Sequence, residues 1–258
     1  MIKLTSSVYL VGAGSAGLSA PTDANTYLVA SAGSAVLIDA GSGLNSEQIL
    51  ANVKAAGIDP STIGLVLNTH SHWDHARGDY DMHRLLGAPI GMHEAGHSVL
   101  TDQRWSQHLV TKTGFEPPPP VTPEVTVHDG DVFEVGDLQL TAVYTPGHTT
   151  DSVSYLLEQD GRRLLFTGDM LLGDGALGAM WFDSDLVGYR NSLARMQELE
   201  PHAILPGHRM FTLANGDAMI AHAVQTLTAT WHGFVTDGPS FAPSWWLANY
   251  KGEVVNRP

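Results

Sequence analysis

Short apolar runs recur along the chain, each closed by a cluster of Gly, Pro, Asn, Asp or Ser. Val8 to Val11, Tyr27 to Ala30 and Ala35 to Asp39 have the length and β-branched content of strands, and Ser31-Ala32-Gly33-Ser34 turns the last two into a hairpin. Ser46 to Ala56 switches to helical spacing, with Asn45 or Ser46 as its cap and Gly57 at its end. Gly64 to Asn68 is a further strand, followed by a polar loop rich in His and Asp, and Pro89 to Met92 is a short one. From Glu94 to Pro123 the pattern fades, and Pro117 to Pro120 must be extended, so this stretch reads as a lid-like insertion. Strands resume at Glu124 to His128, Val132 to Val135, Leu138 to Tyr144, Ser152 to Glu158 and Arg163 to Phe166. A helix over about Asp185 to Leu199, a strand Ala203 to Leu205 and a helix from Gly216 to about Trp231 complete the pattern. No Gly/Ser linker divides the chain, so residues 1–258 read as one domain.

Composition narrows the partners. The 258 residues are 43% hydrophobic and 16% charged, enough apolar content for a core. Twenty-seven acidic residues against 13 basic ones give a net charge of −14, which repels phosphate backbones. A small-molecule substrate is therefore expected, with no nucleic acid. No apolar run reaches membrane-spanning length, so no membrane partner is expected. The stretch from Lys3 to Ala20 mimics a signal peptide, yet Gly12, Gly14 and Gly17 interrupt it, and a cytoplasmic location is the expectation. The absence of Cys removes disulfides, thiolate nucleophiles and Cys-type zinc sites together. Thirteen histidines are many for this length.

Their placement carries the chemistry. Leu65 to Asn68 runs into Thr69-His70-Ser71-His72-Trp73-Asp74-His75, and Leu140 to Tyr144 into Thr145-Pro146-Gly147-His148. Leu164 to Phe166 runs into Thr167-Gly168-Asp169, and Ala203 to Leu205 into Pro206-Gly207-His208. Strands laid side by side would bring these His and Asp residues to one sheet edge, where rigid elements can aim loop side chains at an ion. His70 and His72, two apart in an extended loop, point the same way and can share one ion. Asp74 and His75 can turn toward a second. Imidazole and carboxylate without thiolate suit zinc, and also iron, manganese or nickel.

Other motifs yield to plainer readings. His83, His108, His128, His202, His222 and His232 are read as surface or hydrogen-bonded core residues. Gly12-Ala13-Gly14-Ser15-Ala16-Gly17 mimics a dinucleotide fingerprint, but too few residues follow it to hold the required helix, so it reads as a hairpin loop beside the site. His93-Glu94-Ala95-Gly96-His97 spells H-E-x-x-H, yet His93 ends a strand and Gly96 weakens a helix. Trp231, Trp245, Trp246 and Tyr250 read as packing aromatics.

The H-x-H-x-D-H cluster, followed in order by His148, Asp169 and His208, resembles the motif set of the metallo-β-lactamase superfamily over about Val8 to Trp231. The resemblance implies a four-layer αββα sandwich of class α/β. It assigns His70, His72 and His148 to a first metal and Asp74, His75 and His208 to a second, with Asp169 bridging them. Asp39 would orient a metal-binding His from behind. Within the superfamily the pattern is most similar to glyoxalase II and the acyl-homoserine lactonases. Leu172 stands where those lactonases place a Tyr, and the stretch after Asp169 lacks the Cys-Gly-Arg segment of glyoxalase II. The expected reaction is hydrolysis of an ester, thioester or lactone by a metal-bound hydroxide on two zinc ions, with iron or manganese as alternatives. Asp74 and Asp169 are its candidate catalytic carboxylates. Trp105, Phe115, Leu172, Trp181 and Phe182 are candidates for the pocket wall. The rival implied by the same superfamily is a mononuclear iron persulfide dioxygenase using His70, His148 and Asp169, with low-level β-lactam hydrolysis as a further alternative.

Overall fold

Most of the strand segments are apolar on both faces, so each sheet must be covered on both sides. A computed structural model, which describes residues 1–102, 118–180 and 184–236, meets that demand with two mixed sheets face to face. Strands β1 (Ile2–Lys3), β2 (Val8–Gly12), β3 (Thr26–Ser31), β4 (Ser34–Ile38), β5 (Ile63–Leu67), β6 (Ile90–His93) and β7 (Val125–Val127) form the first sheet, in that order. Its first four strands are antiparallel neighbours and its last four run parallel. The second sheet holds β8 (Val132–Val135), β9 (Leu138–Tyr144), β10 (Val153–Gln159), β11 (Arg162–Gly168) and β12 (Ala203–Pro206). Here only β11 and β12 are parallel.

Strand alternation sorts the side chains into three cores. Leu10, Tyr27, Val29, Val36 and Ile38 meet Leu140, Tyr155, Leu157, Leu164 and Phe166 between the sheets. Their neighbours Tyr9, Val11, Leu28 and Leu37 face the other way, onto α1 (Ser46–Ala55) and the Met82 turn of a helix over Asp79–Leu86. On the far side, Leu165 and Ile204 pack against Tyr189, Leu193 and Met196 of a helix over Leu186–Glu198 and Ile220, Ala223 and Leu227 of one over Gly216–Thr236. The layers are therefore αββα.

Three helices were not anticipated. A single turn, α2 (Trp73–Ala76), lies inside the polar His/Asp segment, and α3 (Asp79–Leu86) follows it. α4 (Glu94–Asp102) occupies the start of the stretch in which periodicity fades. The two later helices, α5 (Leu186–Glu198) and α6 (Gly216–Thr236), match their expected positions, α6 running past Trp231. The signal-like stretch contains β2, whose residues are all buried. Gly14–Ala16 form one 3₁₀ turn, and β3 returns antiparallel to β2, so no helix starts at the glycines as a dinucleotide site requires. No described helix is long and apolar enough to cross a membrane.

Candidate metal centre

The site forms where the loops after β4, β5, β9, β11 and β12 meet. Asp39 directly follows β4 and adopts the left-handed conformation, φ 61°. Its Oδ1 accepts from the Thr69 N–H at 2.7 Å, and its Oδ2 contacts His75 Nδ1 at 2.8 Å. The one hydroxyl proton of Thr69 serves Asp39 Oδ2 at 2.9 Å, so its oxygen accepts from His70 Nδ1–H at 3.1 Å. Asp39 thus sets two rings at once. With Nδ1 engaged in each case, Nε2 of His70 and of His75 is left for another partner, and both atoms are buried without a hydrogen bond.

Three glycines let the other loops approach. Gly147 has φ 156°, and a Cβ there would press on the Tyr189 backbone. Gly168 has φ 49° and abuts Thr69. A Cβ on Gly207 would overlap both His75 and the Asp169 carboxylate. Ser184 Oγ donates to the His148 carbonyl at 2.7 Å, and Tyr189 OH donates to the Met170 carbonyl at 2.6 Å, so the start of α5 pins the His148 and Asp169 loops together.

Potential ligand atoms fall into three overlapping groups, each spanning no more than 4.8 Å: His70, His72 and His148; His70, His75 and Asp169; and Asp74, His75 and His208. His72 Nδ1 lies 3.0 Å from His148 Nε2. Asp169 stands between, with Oδ1 3.5 Å from His75 Nε2 and Oδ2 3.7 Å from His148 Nε2 and 3.4 Å from His208 Nε2. His208 Nε2 is 3.0 Å from Asp74 Oδ2. The donor set fits a metal on this structure's own terms, because His70 Nε2, His75 Nε2 and Asp169 Oδ1 are buried polar atoms that no protein group satisfies.

Electrostatics differ across the site. Burial, reinforced by the neighbouring histidines, holds His70 well below the usual imidazole range. Burial also pushes His148 down to about 4, against the pull of Asp169. For His75, burial is outweighed by Asp39, Asp169 and Asp74, which raise it well above that range. His208 is raised too, burial being overcome by its hydrogen bond to Asp74 and by Asp169. Despite burial, Asp169 is held far below the carboxylate range by His75, His208 and His148.

All seven residues expected as ligands, and Asp39 behind them, therefore meet in one place. Leu172 is 5% exposed and closed into a turn by its N–H to the Ala176 carbonyl at 2.9 Å. Trp105, Phe115, Trp181 and Phe182 lie outside the described residues, as do Trp245, Trp246 and Tyr250. In the H-E-x-x-H segment, α4 does begin at Glu94 despite Gly96, but His93 ends β6 and stacks on Tyr144 at 4.2 Å, while His97 Nε2 bonds the Met92 carbonyl. The two histidines thus serve separate contacts. Sequence reading missed Thr69 and Tyr189. Thr69 adjoins the His cluster, but the partner of Tyr189 is a carbonyl on another loop, which no local pattern marks.

Residues 20–208 match a family described as the metallo-beta-lactamase superfamily. The chain is 32% identical over 185 residues to an atrochrysone carboxyl ACP thioesterase of Aspergillus fumigatus, covering 71% of this chain and 50% of that one. It is 30% identical over 242 residues to the acyl-coenzyme A thioesterase MBLAC2 of Homo sapiens, covering 79% and 82%. The chain spans about half the length of the fungal relatives it matches. Among solved structures it resembles the Rm3 metallo-beta-lactamase, with TM-score 0.70, 23% identity and coverage of 89% and 92%. The subclass B3 enzyme BJP-1 of Bradyrhizobium japonicum gives TM-score 0.70 at 20% identity, covering 90% and 92%. At such identities the likeness shows the fold alone.

Proposed function

The chain belongs to the metallo-β-lactamase superfamily, and from that premise we propose that it is a dinuclear metal-dependent hydrolase of acyl thioesters. One observation carries the reading: the ligand groups overlap, with Asp169 reaching toward His148 on one side and His75 and His208 on the other. His70, His72 and His148 would hold one ion, Asp74, His75 and His208 the other, and Asp169 both. Nitrogen and oxygen donors without thiolate suit zinc, with iron or manganese as alternatives. Two zinc ions bound there would supply an activated water and an electrophile for the carbonyl.

The rest of the chemistry belongs to the chain. His75 and His148 are fully enclosed, whereas the Asp74 and His208 side chains are 18% and 37% exposed, so substrate approaches across that rim. Asp74, at the rim and 3.0 Å from His208 Nε2, can take up the proton released as water adds to the carbonyl. A thiolate is a weak base and leaves with little acid assistance, so its departure asks little of the rim. Two thioesterases among the relatives support this choice over an ester or a lactone. A mononuclear iron on His70, His148 and Asp169 would leave the close Asp74–His208 pair without a task.

Elemental analysis of protein purified without added metal tests the reading, together with turnover by chelated and reconstituted samples. Two zinc or manganese ions per chain, with metal-restored hydrolysis of an acyl-CoA or acyl-pantetheine ahead of lactones and β-lactams, is the expected result. One iron per chain, oxygen-dependent persulfide consumption and no hydrolysis would overturn it.

A further inference from the structure

The segment between the glycine-rich loop and β3 has so far had no role. Ala24 N–H donates to the Asp74 carbonyl at 3.1 Å, and Asn25 N–H donates to the Gly207 carbonyl at 2.6 Å. The Asn25 side chain goes further. Its Nδ2 donates to the Pro206 carbonyl at 2.8 Å and to the Arg209 carbonyl at 3.0 Å, with Asn25 itself 2% exposed. These two carbonyls bracket Gly207-His208. Arg209 is a non-glycine residue at φ 64°, a conformation that persists only where its surroundings enforce it. Tyr27 OH adds a bond to the same Pro206 carbonyl at 2.8 Å.

We infer that Asn25 is a positioning residue for the second metal position, a role that rests on the dinuclear reading above. One amide N–H₂ satisfies the carbonyls on both sides of His208, which fixes the left-handed turn and holds the imidazole 3.0 Å from Asp74. The adjoining Ala24 N–H ties the Asp74 loop to the same segment. Both rim ligands are thereby referenced to one short stretch of backbone. The Asn25 side-chain bonds described go to Tyr27, Pro206 and Arg209, on the His208 side of the cluster, so the inference assigns Asn25 to the second position. Only the amide, with two hydrogens on one nitrogen, can serve both carbonyls. An aspartate is the same size but presents oxygens to them.

The test is titration of the metal-free full chain with cobalt(II) and with zinc, followed by visible absorption and calorimetry, for the wild type, Asn25→Asp and Tyr27→Phe. Wild type is expected to bind two ions in separable events. Asn25→Asp should weaken the second event by about 10–100-fold, the scale on which partners behind the ligands act, and leave the first within about threefold. Tyr27→Phe, which removes the hydroxyl that Asn25 Nδ2 approaches at 3.4 Å but keeps both Asn25 bonds to carbonyls, should lower the melting temperature while shifting the second event by less than about threefold. If Asn25→Asp does not fold, Asn25→Ser, too short to reach both carbonyls, carries the same comparison. Equal weakening of both events, or an unchanged second event, overturns the inference while the dinuclear reading stands. A wild type that binds one ion overturns both.

Discussion

The two ligand groups sit within one cluster yet are built on opposite principles. His70, His72 and His148 are 1%, 8% and 0% exposed, and burial is the largest cause that lowers His70 and His148, with neighbouring histidines adding to it. Asp74, His75 and His208 open to solvent at two of three members and depend on carboxylates for their charge state and on backbone staples for their geometry. A ligand held by packing comes with the fold. One at a rim has to be tied down residue by residue. The contrast teaches that the inner position is set by the two sheets, with Asp39 reaching His70 only through Thr69, and the outer one by Asp39 directly and by the 24–25 segment.

Substitutions separate the two kinds of support. Asp169→Asn touches both groups and should break the contrast altogether. It is expected to lower kcat/KM by about 10³-fold, with elemental analysis showing fewer than two ions per chain. Asp39→Asn removes a carboxylate facing His75 Nδ1 and should sharpen the contrast. Calorimetry is expected to show the outer ion weakened by about 10–100-fold and the inner one less affected.

The smallest effect concerns the scaffold beneath the inner group. Asp79 is buried, and Asn68 Nδ2 donates to its Oδ2 at 2.6 Å, while Asp79 Oδ1 and Asn68 Oδ1 both lack partners. Burial raises the Asp79 carboxyl well above its ordinary range, only partly offset by Asn68, so the folded chain keeps a proton that the unfolded chain loses. Such a group contributes most at low pH, and stability declines as pH rises from the unfolded value of about 3.9 toward the raised folded one. Asp79→Asn supplies the missing donor permanently. Its melting temperature should exceed wild type by about 2–4 °C at pH 8, the gap closing toward pH 4, with both ions still bound. A gap that did not change with pH would remove Asp79 as its source.

The candidate ligands were legible because each lies in a loop that directly follows an apolar run. Four such runs ending in Gly-His, Thr-His or Gly-Asp announce both the strand and what it carries. The strands themselves were legible because alternating faces are apolar on both sides, as at Tyr27 to Ala30 and Leu164 to Phe166. The short helices were not. α2 is a single turn inside the His cluster, and α3 buries few apolar side chains, Met82 foremost. Asn25 was missed for a different reason. Its partners are carbonyls on a loop after β12, and a carbonyl has no residue identity to betray it.

Within each sheet every strand is hydrogen-bonded to its neighbours in sequence. The antiparallel runs β1 to β4 and β8 to β11 can therefore zip up from local encounters at little loop-closure cost, whereas the parallel pairs wait on their crossovers. The cluster cannot form that way: His70, His72, Asp74 and His75 follow β5 of the first sheet, while His148, Asp169 and His208 follow β9, β11 and β12 of the second. Ion capture at the proposed centre would thus report completed docking between halves. An ion that bound only the docked chain would hold it together by mass action, and the proposal would then link metal supply to resistance to degradation.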